Sequence, residues 1–134
     1  AEEIKMAIGS ADPTPDEVQA EVRGRDMMTG LPKTVLLTPE EIRLAIDDTV
    51  STIVQSVQRC MAKAPPELAQ DFIARGVYLV GGGGMLRGLK ERIERECKVP
   101  VHMSPMPLEA VVLGAGHCIE HYDALKNMFM GARR

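Results

Sequence analysis

The sequence predicts an α/β fold, and three observations carry that reading. An apolar run, VYLV (77–80), leads into four consecutive glycines and then an amphipathic stretch, LKERI. A second β-branched run, VPVHM (99–103), is followed by another helical pattern. One long apolar stripe at helical spacing fills the middle of the chain. Strand, helix, strand, helix in that order implies a parallel pair joined by a right-handed crossover.

The elements follow from local pattern. Ile4, Ala7 and Ile8 recur at helical spacing until Gly9-Ser10, and ADPTPD is a proline-broken loop. The stretch EVQAEVRGRDMMTGLPKTVLL alternates at Val18, Ala20 and Val22, breaks at Gly30-Leu31-Pro32 and resumes through Thr34, Val35 and Leu37, which predicts two strands with a connecting loop. Thr38-Pro39-Glu40-Glu41 starts a long helix: Thr38 can cap, Pro39 suits the first helical position, and Glu41 is placed to reach back to the cap. Its stripe is Ile42, Ala45, Ile46, Val50, Ile53, Val54, Val57 and Met61, and Ala64-Pro65-Pro66 ends it. A short helix over 67–75 closes at Gly76. After the glycines the pattern predicts a helix over 85–98, a strand at VPVHM, a last helix over 108–125 and a frayed tail over 126–134.

Composition excludes several classes. The chain of 134 residues is 45% hydrophobic, enough for one ordinary domain or a piece of a larger one. Sixteen basic against 19 acidic residues, with no basic run, give no bias toward nucleic acid. With no Trp, two Tyr and two Phe, the chain also lacks stacking platforms for single strands. Cys60, Cys97 and Cys118 are odd in number and widely spaced, and with no secretory leader in view they suggest a reducing cytosol. No apolar run approaches the ~20 residues needed to span a bilayer. The opening AEEIKMAIGS, without Met and already helical in pattern, reads as cut from something longer.

The glycines are the first candidate site. After a strand, bare backbone can take positive φ and let a flat base or sugar approach to van der Waals distance. Each glycine costs up to about 1 kcal/mol relative to Ala, so four in a row favour a ligand over a plain tight turn. No Gly-Lys-Ser/Thr follows, so the P-loop pattern is absent. A dinucleotide fingerprint from Gly81 would need a small residue at Leu86 and an acid where Val101-His102-Met103 stands. His117-Cys118-Ile119-Glu120-His121 matches the H-x-x-E-H order of a zinc hydrolase helix, but no third ligand is evident downstream, and a solvated or packed face is the preferred reading. Glu2 and Lys5, three apart, could hold a ribose or an adenine edge; an intrahelical ion pair is the simpler reading from the residues alone. Arg87, Lys90, Arg92 and Arg95 among Glu91, Glu94 and Glu96 read as a wet helix side.

Several blocks together resemble the MreB family of bacterial actins: Pro65-Pro66-Glu67-Leu68-Ala69 through Arg75-Gly76, Leu79-Val80-Gly81-Gly82-Gly83, Leu86-Arg87-Gly88-Leu89, and Pro107-Leu108 with Val111 and Gly114-Ala115-Gly116. Upstream, Ala1-Glu2-Glu3-Ile4-Lys5 and Glu21-Val22-Arg23-Gly24-Arg25-Asp26 continue the likeness over nearly the whole chain. The resemblance implies the C-terminal half of an actin-like (ribonuclease H-like) ATPase fold. Residues 1–46 would belong to the outer subdomain, and 47–134 to an inner subdomain whose sheet is incomplete.

On that resemblance the glycine turn closes on the adenosine side of ATP. Gly81, Gly82, Gly83, Gly84 and Met85 would line one wall, with Glu2, Glu3, Ile4 and Lys5 opposite. Mg²⁺, the phosphates and the attacking water would be held by the missing half, so the fragment alone is expected to be inactive, with no catalytic or metal residues of its own. Val80 stands where the family usually has a hydroxyl residue and Gly84 where Ser or Ala is common. The implied parent is an ATPase that forms filaments with copies of itself beneath the cytoplasmic membrane and works with the cell-wall elongation machinery. A sugar kinase or chaperone ATPase of the actin fold is the alternative. The incomplete sheet predicts an exposed edge and an apolar patch prone to association.

Overall fold

The computed structural model of the chain describes residues 2–130. The order is α1 (Glu2–Ile8), β1 (Ala20–Arg25), β2 (Pro32–Leu37), α2 (Pro39–Lys63), α3 (Pro66–Arg75), β3 (Val77–Leu79), α4 (Gly81–Gly84), α5 (Leu89–Cys97), β4 (Val101–Met103), α6 (Ala110–Glu120) and α7 (Tyr122–Met130). The alternating stretches pair as an antiparallel hairpin, in register from Ala20 opposite Leu37 to Arg25 opposite Pro32. At its tip the Asp26 carboxylate accepts the Met28 and Thr29 amides at 2.8 and 3.1 Å.

Thr38 starts α2 as its side chain allows. Its hydroxyl accepts the Glu41 amide at 3.3 Å, and the Glu41 carboxylate accepts the Thr38 amide at 2.8 Å, a reciprocal cap that satisfies two donors the first turn would leave orphaned. That amide, and then the Thr38 hydroxyl, hold the Glu41 carboxyl below its usual range. From α2, Val50 and Val54 pack into the core with Leu89 and Ile93 of α5, Val101 of β4 and Ala11. β3 and β4 are parallel, Val77 opposite Val101 through Leu79 opposite Met103, with α5 connecting them. The expected crossover unit is present.

Four expectations need correction. The helix expected over 85–98 begins at Leu89, because Gly88 ahead of it is left-handed (φ 72°), and it stops at Cys97, where Lys98 is left-handed too. The helix expected over 108–125 is two helices, broken at His121 (φ −108°, ψ 27°); apolar spacing persists across a one-residue break, so periodicity could not reveal it. Residues 126–130 are helical rather than frayed, and 131–134 lie outside the described residues. The charged side of α5 is not simply wet. The Arg92 guanidinium donates to Asp47 (2.6 Å), Ser51 (3.0 Å), Glu96 (2.6 Å) and the Ala11 carbonyl (3.2 Å), and Arg95 pairs with Asp12. Its hydrogen bond from Arg92, reinforced by the positive charge, holds the Asp47 carboxyl below the usual range.

Residues 10–12 run beside 86–88. Ser10 and Arg87 form a parallel bridge, the Ala11 amide donates to the Arg87 carbonyl at 2.7 Å, and the Arg87 guanidinium donates to the Ala7 carbonyl at 2.9 Å. Gly88 closes the contact: a Cβ there would lie 2.6 Å from the Asp12 nitrogen. Helix α6 exposes large apolar side chains, with Val111 and Ile119 75% and 76% exposed.

Two outcomes are expected. Glu41 contributes through a depressed carboxyl, so its contribution is complete above about pH 4.3 and fades as pH falls through its folded value. Glu41→Gln should therefore melt below the parent at neutral pH, with the gap closing in acid, as thermal scans across pH will read. Gly88→Ala combines left-handed strain with a main-chain clash, a loss of roughly 1–3 kcal/mol. Denaturant unfolding should show that loss, with faster hydrogen exchange at the Ala11 amide.

Candidate functional site

Strand β3 delivers the chain to the glycines, which close one short helical turn instead of an open bend. The Gly81 amide donates to the Pro107 carbonyl at 2.7 Å, and the Met85 and Leu86 amides donate to the Gly82 and Gly83 carbonyls at 3.1 and 3.3 Å. Gly81 has φ 79°, a conformation that side chains disfavour.

The four glycines then separate by environment. Gly84 is buried, and a Cβ there would sit 2.9 Å from the Leu79 Cγ, so its bareness serves packing of the turn on its own strand. Gly82 and Gly83 are exposed; a Cβ on Gly82 would meet only Leu108 at 3.5 Å, and one on Gly83 nothing within 4 Å. No neighbouring side chain explains their glycine. Met85 beside them is exposed as well.

On α1, Glu2 and Glu3 are exposed while Ile4 and Lys5 are half-buried. The Lys5 ammonium pairs with the Glu2 carboxylate at 2.7 Å, their side chains 42% and 70% exposed. Such a pair contributes under about 1 kcal/mol and can exchange for another polar partner at little cost. α1 is tied to the glycine segment through Arg87, whose guanidinium holds the carboxyl end of α1 from two residues beyond Met85. Ser10, Asp12, Arg87 and Gly88 were missed as positioning residues. The legible signal was a lone glycine directly ahead of the amphipathic run at Leu89.

Two further surface features stand out among the described residues. An apolar groove of about 530 Å³ runs between α2, α3 and β3, lined by Ile53, Val57, Met61, Phe72, Tyr78 and Leu79 among others. At the end of α6, His117, Glu120 and His121 are all exposed, with one potential ligand atom from each within 4.8 Å of the others.

The family model described as MreB/Mbl protein matches residues 1–127. The cell shape-determining protein Mbl of Bacillus cereus is 40% identical over 125 residues, covering 93% of this chain and 38% of that protein. The cell shape-determining protein MreB of Escherichia coli is 39% identical over 123 residues, 92% of this chain and 35% of its own length. The chain thus spans little more than a third of these relatives. Crystal structures of MreB5 of Spiroplasma citri, bound to ADP or to AMPPNP, superpose with a TM-score of 0.83 at 29% identity, over 95% and 97% of this chain and 38% of theirs. Likeness at that level makes the α/β architecture part of an actin-like fold. By the extent of the family match, the chain belongs to the MreB/Mbl protein family.

Proposed function

We propose that this chain supplies the adenosine-side wall of the nucleotide site in a filament-forming bacterial actin that organises cell-wall synthesis and cell shape. One observation carries the reading: Gly82 and Gly83 present bare backbone to solvent, on a turn tied through Arg87 to α1. ADP and AMPPNP in the MreB5 structures support an adenine nucleotide as the ligand class. The relatives matched are cell shape-determining proteins, which disfavours a sugar kinase, a chaperone ATPase or a metal hydrolase.

In this arrangement Gly82 and Gly83 let the base and ribose approach the main chain to van der Waals distance. Lys5 and Glu2 exchange their mutual pair for the ribose hydroxyls or the adenine edge, while Ile4 anchors α1 and Met85 packs adaptably at the rim. Glu3 faces solvent at the entrance. ATP, when bound, supplies the phosphoryl group whose loss drives the filament cycle. Its phosphates and Mg²⁺ fall to the rest of the subunit, and no hydrolytic role is assigned to residues of this chain.

The same reading divides the chain into an outer part, 1–46, and an inner part, 47–134, with further inner-sheet strands filling the apolar groove. Other copies of the subunit and the cell-wall elongation machinery are the proposed partners, at the inner face of the cytoplasmic membrane. No helix among the described residues is long and apolar enough to cross it.

The decisive experiment is ATP titration and sedimentation of a full-length subunit carrying this segment, with and without Gly82→Val. A Cβ at Gly82 meets its neighbour at an ordinary contact distance, so the variant should fold. Affinity for ATP should fall about tenfold or more, ~1.4 kcal/mol or above, and the pelleted fraction with it. Unchanged binding and pelleting would remove the assignment.

A further inference from the structure

The family reading leaves the end of α6 unused. We infer that His117, Glu120 and His121 form a surface clip for a borderline divalent cation of the Zn²⁺ or Ni²⁺ class, across the junction of α6 and α7. The clip is independent of the nucleotide reading, and it carries no hydrolytic step.

The spacing comes first. His117 lies in the last turn of α6 and His121 is the residue that caps it, whose amide still donates to the His117 carbonyl at 3.0 Å, so the two lie one turn apart with Glu120 next to His121. The two imidazole centroids are 6.2 Å apart with the ring planes inclined at 42°. Glu120 Oε2 lies 3.6 Å from His117 Nδ1. One ligand atom from each of the three falls within 4.8 Å of the others. Nitrogen and oxygen ligands sit about 2.0–2.2 Å from zinc, so they must draw together by on the order of 1 Å. All three side chains are exposed, and small χ rotations achieve this without disturbing any packing.

The second observation concerns which nitrogen is available. His121 Nδ1 lies 3.1 Å from the His117 carbonyl oxygen, and that contact places the proton on Nδ1 as donor. Nε2 then keeps its lone pair. A backbone carbonyl orienting the far side of a ligating imidazole is the usual supporting arrangement in metal sites. The site also lies at the carboxyl end of α6, where the helix presents partial negative charge, and Glu120 adds a full one.

Two imidazoles and one carboxylate suit zinc, nickel or copper and discriminate against Mg²⁺ and Ca²⁺, which take oxygen ligands. Water completes the coordination at so open a site. A bound ion joins the last turn of α6 to the hinge residue His121, so it should stiffen the break between α6 and α7.

The test is calorimetric titration of the chain near neutral pH with Zn²⁺, Ni²⁺ and Mg²⁺. Zn²⁺ and Ni²⁺ should bind one ion per chain and Mg²⁺ should not. His117→Ala and His121→Ala should each weaken binding about tenfold or more, and Glu120→Gln less. His102→Ala, which removes an imidazole 5.2 Å from the Tyr78 ring, should change nothing. Cys60→Ser with Cys118→Ser should keep the affinity, and loss there would assign the ion to thiolates and overturn the clip. Nitrogen-15 spectra should show His121 ligating through Nε2. Unchanged affinity in the double His117→Ala, His121→Ala variant, or no Zn²⁺ or Ni²⁺ binding at high micromolar concentration, overturns it as well.

Discussion

The run of residues 10–12 against 86–88 is the constraint on which the rest of the molecule depends. It joins segments some 80 positions apart through a main-chain hydrogen bond, a parallel bridge and the Arg87 guanidinium. Only glycine at 88 allows the approach, since any side chain would meet the Asp12 backbone. Helix α5 starts at that contact and then spends its own residues on reinforcing it. Leu89 and Ile93 enter the core, Arg92 reaches the Ala11 carbonyl, and Arg95 reaches Asp12. α1 and the glycine turn are held near one another by this single arrangement.

The stabilising contacts are unevenly distributed. Val50, Val54, Leu89, Ile93 and Val101 bury one side of the crossover unit, and the Arg92 network closes its edge. Burial of these side chains supplies the driving force, on the order of 1.5–3 kcal/mol for each large one. Arginine adds direction, because its forked donors fit two carboxylates and a carbonyl at once. By contrast α6 buries none of its residues, and the groove walled by α2, α3 and β3 stays open. A chain that spans little more than a third of its relatives' length has an apolar surface that the remaining length of such a protein can cover.

The glycine run shows how one motif can serve two purposes. Gly84 lies where the turn packs on Leu79, and Gly81 where the backbone turns left-handed out of the strand. These two make the turn possible. Gly82 and Gly83 have no such neighbour, and their bare surface is what a flat ligand can use.

The elements were largely legible from residue pattern, and the reasons are local. Thr38-Pro39-Glu40-Glu41 specifies a helix start because the cap closes within one turn, and the alternation around Val22 and Val35 specifies a hairpin because its register follows a short loop. The parallel pairing of β3 and β4 followed from element order alone. Tertiary structure decided what local pattern could not carry. The break at His121 leaves the apolar period intact, and the partners of Arg87, Arg92 and Arg95 lie in distant segments, so these residues looked like a solvated face. Gly88 and Gly84 are set by contacts with Asp12 and Leu79 that exist only once the chain has folded. Sequence determined which residues could form a bare turn and a helix beside it; folding decided which glycines stay open and what holds the two together, because that depends on distances between segments that share no local period.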